Sequence, residues 1–263
     1  MRPMIRRILP VILALFVASV QAQDGAPPVK YRTQVLSVHD HDPGAFTQGL
    51  LLHKGKLYES TGLEGKSSLR RVDQESGLVE KKVDLDPKMF GEGLAIHGDK
   101  LIQITWKNGK AFVYNVDTLE KVGEFTYEGE GWGLADDGKQ LFMSDGSDKI
   151  TFRNPDTFEK TGQISVTFQG KPVTNINELE YVNGALYANI WMQDVIVKID
   201  PKSGKVTGVI DAAGLLAPEE KSQQAVLNGI AYDPASGNFL ITGKLWPRLF
   251  EVQWLIAETK PAP

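Results

Sequence analysis

A short motif of glycine, amide and aromatic residues recurs five times in this chain, and each copy leads into an apolar segment. The closing residues of the five copies are separated by 44, 40, 45 and 51 residues. A repeat of about 40–50 residues built from strands is typical of β-propeller blades, because one four-stranded blade cannot bury its own faces. The copies lie at 46–50, 91–94, 131–134, 177–179 and 228–230.

Each repeat continues in the same order. The motif precedes a first strand, a turn containing glycine, and a second apolar strand such as 100–105 or 185–190. A further hairpin follows in most repeats, with turns rich in Asp, Asn, Pro and Gly. Four strands in each of five repeats predict an all-β chain folded as a five-bladed β-propeller. Two β-sandwich domains are the alternative, which leaves the near-constant spacing as a coincidence.

The fifth repeat is one strand short, since only 249–255 follows its second strand. Segment 31–38 precedes the first motif and has no other sheet to join. We therefore expect this N-terminal strand to close the last blade, which would remove exposed sheet edges.

The first 22 residues have the composition of an export signal. Arg2, Arg6 and Arg7 precede the apolar run 8–20, and small residues follow. We expect 1–22 to be a signal peptide, and the protein to be periplasmic or secreted. An uncleaved anchor is the alternative, although the run is shorter than the roughly 20 residues that span a membrane. Disordered tails are expected at 23–30 and 257–263, around a single propeller domain at 31–256.

Composition restricts the partners. Loss of the three arginines of the signal changes the formal charge from −4 to −7, and no basic cluster remains. We therefore expect no binding to nucleic acid or to anionic membranes. The chain has no cysteine, and hence neither a disulfide nor a thiolate nucleophile. A closed domain of this size can be stable through its core alone. We expect a monomer, as closed propellers often are.

In a propeller blade, the first strand begins and the second strand ends at the same face of the ring. Residues at these two places should therefore meet around one mouth of the central channel. Together they supply carboxylates, a lysine, amides and tryptophans, a composition typical of small-ligand pockets. The first set is Gln48, Glu92, Trp132, Asn177 and Asn228, and the second set is Glu59, Trp106, Asp145, Trp191 and Lys244.

Several of these residues also have structural interpretations. Tryptophans often pack one blade against the next. Asp145 lies in a sequence that resembles a calcium loop but lacks the bidentate glutamate, so a tight turn is favoured. The segment 39–42 (His-Asp-His-Asp) carries metal-ligand residue types on alternating sides of an extended chain, which favours a polar strand end. No histidine accompanies a serine motif, which argues against a catalytic triad.

Motifs in the same order throughout 31–255 resemble those of the plant and bacterial type of glutaminyl-peptide cyclotransferase. They include Phe-Thr-Gln-Gly-Leu at 46–50, Phe-Gly-Glu-Gly-Leu at 90–94, Glu-Gly-Trp-Gly-Leu at 130–134, Asn-Glu-Leu-Glu-Tyr at 177–181, Ala-Asn-Ile-Trp at 188–191 and Thr-Gly-Lys at 242–244. The resemblance implies a five-bladed propeller that converts the N-terminal glutamine of peptides to pyroglutamate and releases ammonia. It implies Glu92 as the proton-transferring residue. The other implied site residues are Phe46, Gln48, Phe90, Trp106, Trp132, Asn177, Trp191 and Lys244.

This cyclisation needs a neutral amine, donors to the developing oxyanion and a proton for the departing ammonia. One carboxylate can take the proton and return it, which we expect of Glu92 if aromatic surroundings raise its pKa. Lys244 and Asn177 are expected as catalytic donors. No metal or cofactor is chemically required; a structural calcium ion is compatible with the channel, but the sequence does not specify one.

Two other functions stay open on sequence alone. A periplasmic propeller can act only as a binding or scaffold protein. A potentially protonatable glutamate near a lysine and amides argues against this function. A metal-dependent lactonase would need anionic ligands, of which the two sets offer only Glu59, Glu92 and Asp145.

Overall fold

Short β-strands joined by tight turns form most of the described chain. The structure is a computed structural model and describes residues 26–220, 222 and 224–257. The predicted signal peptide, residues 23–25 of the predicted N-terminal tail and residues 258–263 of the predicted C-terminal tail lie outside these residues. The strands are β1 (Val29–Asp40), β2 (Thr47–His53), β3 (Lys56–Thr61), β4 (Ser68–Val72), β5 (Val79–Asp84), β6 (Gly91–His97), β7 (Lys100–Thr105), β8 (Lys110–Asn115), β9 (Lys121–Thr126), β10 (Leu134–Asp136), β11 (Leu141–Ser144), β12 (Lys149–Arg153), β13 (Lys160–Ser165), β14 (Thr167–Phe168), β15 (Lys171–Pro172), β16 (Ile176–Val182), β17 (Ala185–Ile190), β18 (Val195–Ile199), β19 (Val206–Asp211), β20 (Leu227–Asp233), β21 (Asn238–Gly243) and β22 (Arg248–Ile256).

The strands form sheets that follow the repeats. Three sheets are antiparallel meanders in chain order, β2-β3-β4-β5, β6-β7-β8-β9 and β10-β11-β12-β13. An eight-stranded sheet has the order β16-β17-β18-β19-β1-β22-β21-β20, and β14 pairs with β15. A 3₁₀ helix lies at Pro218–Glu220. No helix in the described part of the chain is long and apolar enough to cross a membrane. The prediction of an all-β, propeller-like fold is confirmed.

The turn that joins the first two strands of each repeat contains a glycine with positive φ. Side chains rarely tolerate this left-handed conformation, which explains the choice of residue. Two of these glycines follow Lys54 (φ 51°) and Asn183 (φ 49°), the two-residue combination of type I′ hairpins. The predicted turns are therefore confirmed at Gly55, Gly98, Gly138, Gly184 and Gly237.

The N-terminal strand lies inside the eight-stranded sheet. β1 pairs antiparallel with β22, from Tyr31 opposite Ile256 to Asp40 opposite Arg248, and parallel with β19 at 29–32. It begins at Val29 and is longer than the predicted 31–38, because its first residues pair with β19 and its pairing with β22 continues to Asp40. Neither side of β1 is left entirely unpaired.

The apolar core consists of five clusters between neighbouring repeats. β2–β4 pack on β6–β8, β6–β8 on β10–β11, and β10–β12 on β16–β19. β16–β19 pack on β20–β22, which pack in turn on β2–β4. The first repeat thus contacts both the second and the last. Each fully buried Leu, Ile or Phe in such clusters contributes about 1.5–3 kcal/mol.

The residue just before the closing residue of the motif is glycine in four repeats and glutamate in the fourth. A Cβ at Gly133 would lie 2.1 Å from the Asn177 carbonyl oxygen, so glycine permits neighbouring inner strands to approach closely. The fourth repeat has Glu178, which accepts hydrogen bonds from the backbone N–H groups of Leu50 (3.4 Å) and Ile230 (3.0 Å). A side chain of the fourth repeat therefore holds the inner strands of the first and fifth.

Candidate active site

The polar residues of the repeated motif lie where the innermost strands are irregular. Register shifts occur between residues 47 and 49 of β2, 91 and 94 of β6, 176 and 179 of β16, and 227 and 230 of β20. A bulge takes a residue out of the regular ladder and re-aims its side chain. Each of these shifts contains one polar residue of the motif, namely Gln48, Glu92, Asn177 and Asn228 in turn.

The residue after the second strand of a repeat is tied to the chain that enters the first strand. In four repeats its backbone N–H donates to a carbonyl at or next to the start of the inner strand. This hydrogen bond brings the two predicted sets together at one end of the sheets. The pairs, with the donor first, are Gly62–Phe46 (2.8 Å), Trp106–Phe90 (3.0 Å), Trp191–Asn175 (2.8 Å) and Lys244–Val226 (2.9 Å).

One cavity of about 440 Å³ opens at this end. Its lining contains all nine residues predicted for the site and also Leu63, which sequence reasoning missed. The nine are Phe46, Gln48, Phe90, Glu92, Trp106, Trp132, Asn177, Trp191 and Lys244.

Glu59 does not line this cavity, contrary to its place in the predicted second set. It lies inside β3, and the residue that meets Phe46 is Gly62. A Cβ at Gly62 would lie 2.4 Å from the Phe90 ring, so a side chain at this position would displace a wall of the cavity.

Asp145 and Asn228 also lie outside the cavity lining. Asp145 accepts hydrogen bonds from the backbone N–H and hydroxyl of Ser147 (2.9 and 2.5 Å), as expected of a tight turn. Asn228 is buried behind the site and donates from Nδ2 to the Gln48 side-chain oxygen (3.3 Å) and the Thr47 carbonyl (2.9 Å). It therefore orients Gln48.

Glu92 is the buried carboxylate of the cavity. It is 4 % exposed, and its Oε1 accepts a hydrogen bond from Nε2 of Gln48 at 3.1 Å. Burial raises the pKa of Glu92 well above the ordinary 4.5, while the charge of Lys244 lowers it and that of Glu130 raises it. Burial disfavours the ionised form, so Glu92 keeps its proton at pH values where an exposed glutamate has lost it.

Lys244 and Asn177 bring further polar groups. The Lys244 ammonium is buried, 5.0 Å from the centroid of the Phe46 ring. Burial lowers the pKa of Lys244 and Glu92 opposes this shift, with a net lowering. The side-chain oxygen of Asn177 is buried without a hydrogen-bond partner among the described residues. It is an acceptor available to a ligand.

Aromatic rings form the walls in two edge-to-face groups. The ring centroid of Phe90 lies 6.1 Å from that of Phe46 and 5.5 Å from that of Trp106. Trp132 and Trp191 form the second group, with centroids 5.7 Å apart. Such arrangements align the positive edge of one ring with the negative face of another, which favours a fixed geometry.

The segment 39–42 is a strand end followed by a buried network. β1 ends at Asp40, and the His41 ring nitrogens contact the Trp246 carbonyl (2.6 Å) and the Glu59 carboxylate (2.9 Å). Glu59 also accepts from the Thr47 hydroxyl at 2.7 Å. The network connects the chain after Lys244 to the start of β2. Within the described ranges, no group of three or more His, Asp or Glu residues could hold a metal ion.

The chain is similar to known glutamine-cyclising proteins over most of its length. The sequence model of the glutamine cyclotransferase family matches residues 8–254. A glutaminyl-peptide cyclotransferase of Arabidopsis thaliana is 42 % identical over 232 residues, which cover 86 % of this chain and 72 % of that protein. The crystal structure of Myxococcus xanthus glutaminyl cyclase is 41 % identical and superposes with a TM-score of 0.84, covering 88 % of this chain and 100 % of that one.

Proposed function

This chain belongs to the glutamine cyclotransferase family, and we propose that its cavity converts the N-terminal glutamine of peptides and proteins to pyroglutamate, with Glu92 as the proton-transferring residue. The observation that carries the assignment of the site is a carboxylate, 4 % exposed, among aromatic walls and beside a buried lysine. A propeller that only binds or scaffolds is not favoured, because that role gives no reason for the family match.

The reaction forms one bond and breaks one. The α-amine nitrogen of the substrate attacks its own side-chain amide carbon, and the bond from that carbon to the amide nitrogen breaks. The Glu92 carboxylate takes a proton from the attacking nitrogen and gives it to the departing nitrogen, which leaves as ammonia. Glu92 ends in its starting state, so the cycle needs no other proton donor, oxidant or metal.

The environment of Glu92 suits this transfer. The α-amine of a peptide has a pKa of about 8, far above that of an ordinary glutamate. Burial raises the pKa of Glu92 and brings donor and acceptor closer in proton affinity. Proton transfer is most efficient when the two affinities are similar near the working pH.

Three groups can stabilise the developing charge. Lys244 supplies a buried ammonium, and Trp191 supplies an indole N–H from the lining of the cavity. Each well-placed donor to an oxyanion is worth about 3 kcal/mol. Asn177 can donate from its amide nitrogen, and its unpaired oxygen can accept from a substrate N–H. Phe90, Trp106 and Trp132 would hold the substrate folded for attack.

We also propose that the fold is a five-bladed ring. The eight-stranded sheet would then comprise two blades, β16–β19 and β20–β22 completed by β1. Two observations support this division: β1 pairs along β22, and the last repeat packs on the first.

Beyond the site, we propose export to the periplasm or the exterior after removal of 1–22, and action as a monomer on peptides. The composition of the first 22 residues supports export, the family match supports peptide substrates, and the lack of a basic cluster argues against nucleic-acid and membrane binding.

A peptide with N-terminal glutamine, incubated with the purified protein and a chelator, tests the activity. We expect release of one ammonia per peptide and a product lighter by the same amount. The matched control is the same peptide acetylated at its N-terminus, which cannot attack its own side chain and should stay unchanged. Equal ammonia from both peptides would identify an amidase, and none from either would overturn the proposal.

A further inference from the structure

Glu130 links the two aromatic groups of the cavity. Its Oε2 accepts a hydrogen bond from Nε1 of Trp106 at 2.7 Å and another from Nε1 of Trp132 at 3.0 Å. One oxygen atom thus fixes two indole rings that come from different repeats. Between these rings there is no direct ring contact of the kind that joins Trp106 to Phe90 or Trp132 to Trp191.

The surroundings of Glu130 hold the carboxylate at this point. Lys107 lies 3.5 Å from its other oxygen and 4.0 Å above the Trp106 ring. The backbone N–H of Gly131 donates to the Trp106 carbonyl at 2.9 Å, which anchors the segment that carries Glu130. Hydrogen bonds to an ionised acceptor are about twice as strong as those between neutral groups. Glu130 is therefore a strong fixed acceptor at the rim.

We propose that Glu130 is a positioning residue for the cyclisation: by accepting from both indoles with one oxygen, it sets the separation and tilt of the Trp106 and Trp132 walls around the folded substrate. This inference rests on the proposed function of the cavity. Glu130 acts through the rings and is not itself a contact of the reacting atoms.

The ring contacts of Trp106 and Trp132 explain why a residue that accepts from both indoles is needed to fix their separation. Each ring has an edge-to-face partner on one side only, so the space between the two groups could widen. Reacting atoms must lie about 3–3.5 Å apart, and a misplacement of 1 Å can cost about 100-fold in rate. A wall that shifts by a fraction of that distance would lower turnover without abolishing binding.

Three single variants separate geometry from charge. Glu130→Gln keeps an oxygen that can accept from both indoles but removes the charge, whereas Glu130→Ala removes both. Glu128→Gln makes the same charge change two residues away, on an exposed side chain. We expect kcat to fall about tenfold or more in Glu130→Ala, with a smaller change in KM, because misplacement acts on the attack step. Glu130→Gln should lose only about threefold, since one accepting oxygen is retained although its hydrogen bonds to the indoles are weaker without the charge.

A spectroscopic measurement and a mutant cycle complete the test. The near-ultraviolet circular dichroism of the indoles should change in Glu130→Ala and stay close to wild type in Glu130→Gln. In a background of Trp106→Phe with Trp132→Phe, which lacks both N–H donors, adding Glu130→Ala should cost little further activity.

The outcomes distinguish this inference from the proposed function. Equal losses in the Gln and Ala variants would mean that charge acts, and would overturn the positioning role. An Ala variant as active as Glu128→Gln would overturn it too, as would a full loss in the double-Phe background. In each case wild-type activity on Gln-peptides would still stand; its absence would instead remove the proposed function.

Discussion

The side chain of Gln48 donates a hydrogen bond to Glu92 at 3.1 Å, although the two residues are 44 positions apart. They occupy the same place in neighbouring repeats. Asn228, at the same place in the last repeat, donates to Gln48 at 3.3 Å. Equivalent residues of three repeats thus form a chain of hydrogen bonds that ends on the carboxylate.

Replacing Gln48 with Leu should lower kcat about tenfold while the protein stays folded, because a hydrogen bond to a charged group is worth about 1.5–3 kcal/mol. Leucine keeps the volume of the side chain but cannot orient Glu92. Steady-state kinetics with a Gln-peptide will measure the effect. Unchanged kcat would mean that Glu92 is held by other contacts.

The pH dependence of kcat should report Glu92. Activity needs its ionised form, and burial raises its pKa, so the acid limb should lie well above pH 4.5. The charge of Lys244 lowers the pKa of Glu92, and Lys244→Met removes that charge. The limb of this variant should therefore move to higher pH, while kcat falls.

The same peptide should be used for both proteins, so that the titration of the substrate amine is common to the two profiles. A limb that stays in place or moves to lower pH in Lys244→Met would contradict the coupling between Lys244 and Glu92.

The pair of His41 and Glu59 should make stability depend on pH. Burial alone lowers the pKa of His41, but the charge and hydrogen bond of Glu59, together with the Trp246 carbonyl and the charge of Asp42, outweigh it, so this pKa is raised above 6.5. Burial alone raises the pKa of Glu59, yet the charge and hydrogen bond of His41, the charge of Arg70 and the hydrogen bond from the Thr47 hydroxyl together outweigh it, and the pKa falls below 4.5. The stabilisation by protonated His41 is complete below pH 6.5 and is lost as pH rises through its folded-state pKa.

The contribution of ionised Glu59 to stability depends on pH in the opposite direction. It is present above pH 4.5 and is lost as pH falls through the lowered pKa of Glu59. The Tm advantage of wild type over His41→Gln should therefore be largest between pH 4.5 and 6.5 and should shrink at alkaline pH. A difference in Tm that is constant from pH 5 to pH 9 would refute the ion pair.

Removing residues 1–38 should lower Tm or cause aggregation, because it deletes most of β1 and exposes the edges of β19 and β22. Removing residues 1–27 leaves β1 intact and serves as the control, with the parent Tm expected. Equal Tm values for both truncations would contradict a closing role for β1.

Much of this arrangement could be predicted from the repeat. The position of a residue within its repeat was enough to predict that Gln48, Glu92 and Asn177 meet Trp106, Trp191 and Lys244. Counting failed for Glu59, which follows the closing residue of its motif by 9 positions where the other members of the second set follow by 11 to 14. That shorter distance leaves Glu59 inside the strand, and Gly62 takes the place at the mouth.

Other contacts cannot be predicted from the spacing of the repeats. Glu130 lies two residues before Trp132, outside the position that the repeats share, and its bond to Trp106 depends on where the rings lie. The burial of His41 depends on the Trp246 carbonyl, 205 residues away. Such contacts between repeats follow from the packing of sheets, which the spacing of motifs does not specify.

The assignment of Glu92 as the proton-transferring residue is tested most directly by the turnover of Glu92→Gln. This variant keeps the shape of the side chain and its place beside Gln48 but cannot shuttle a proton. Ammonia release from a Gln-peptide should fall at least ~100-fold, the scale of general acid–base assistance, with the circular dichroism spectrum unchanged. Turnover near that of wild type by the folded variant would contradict the account.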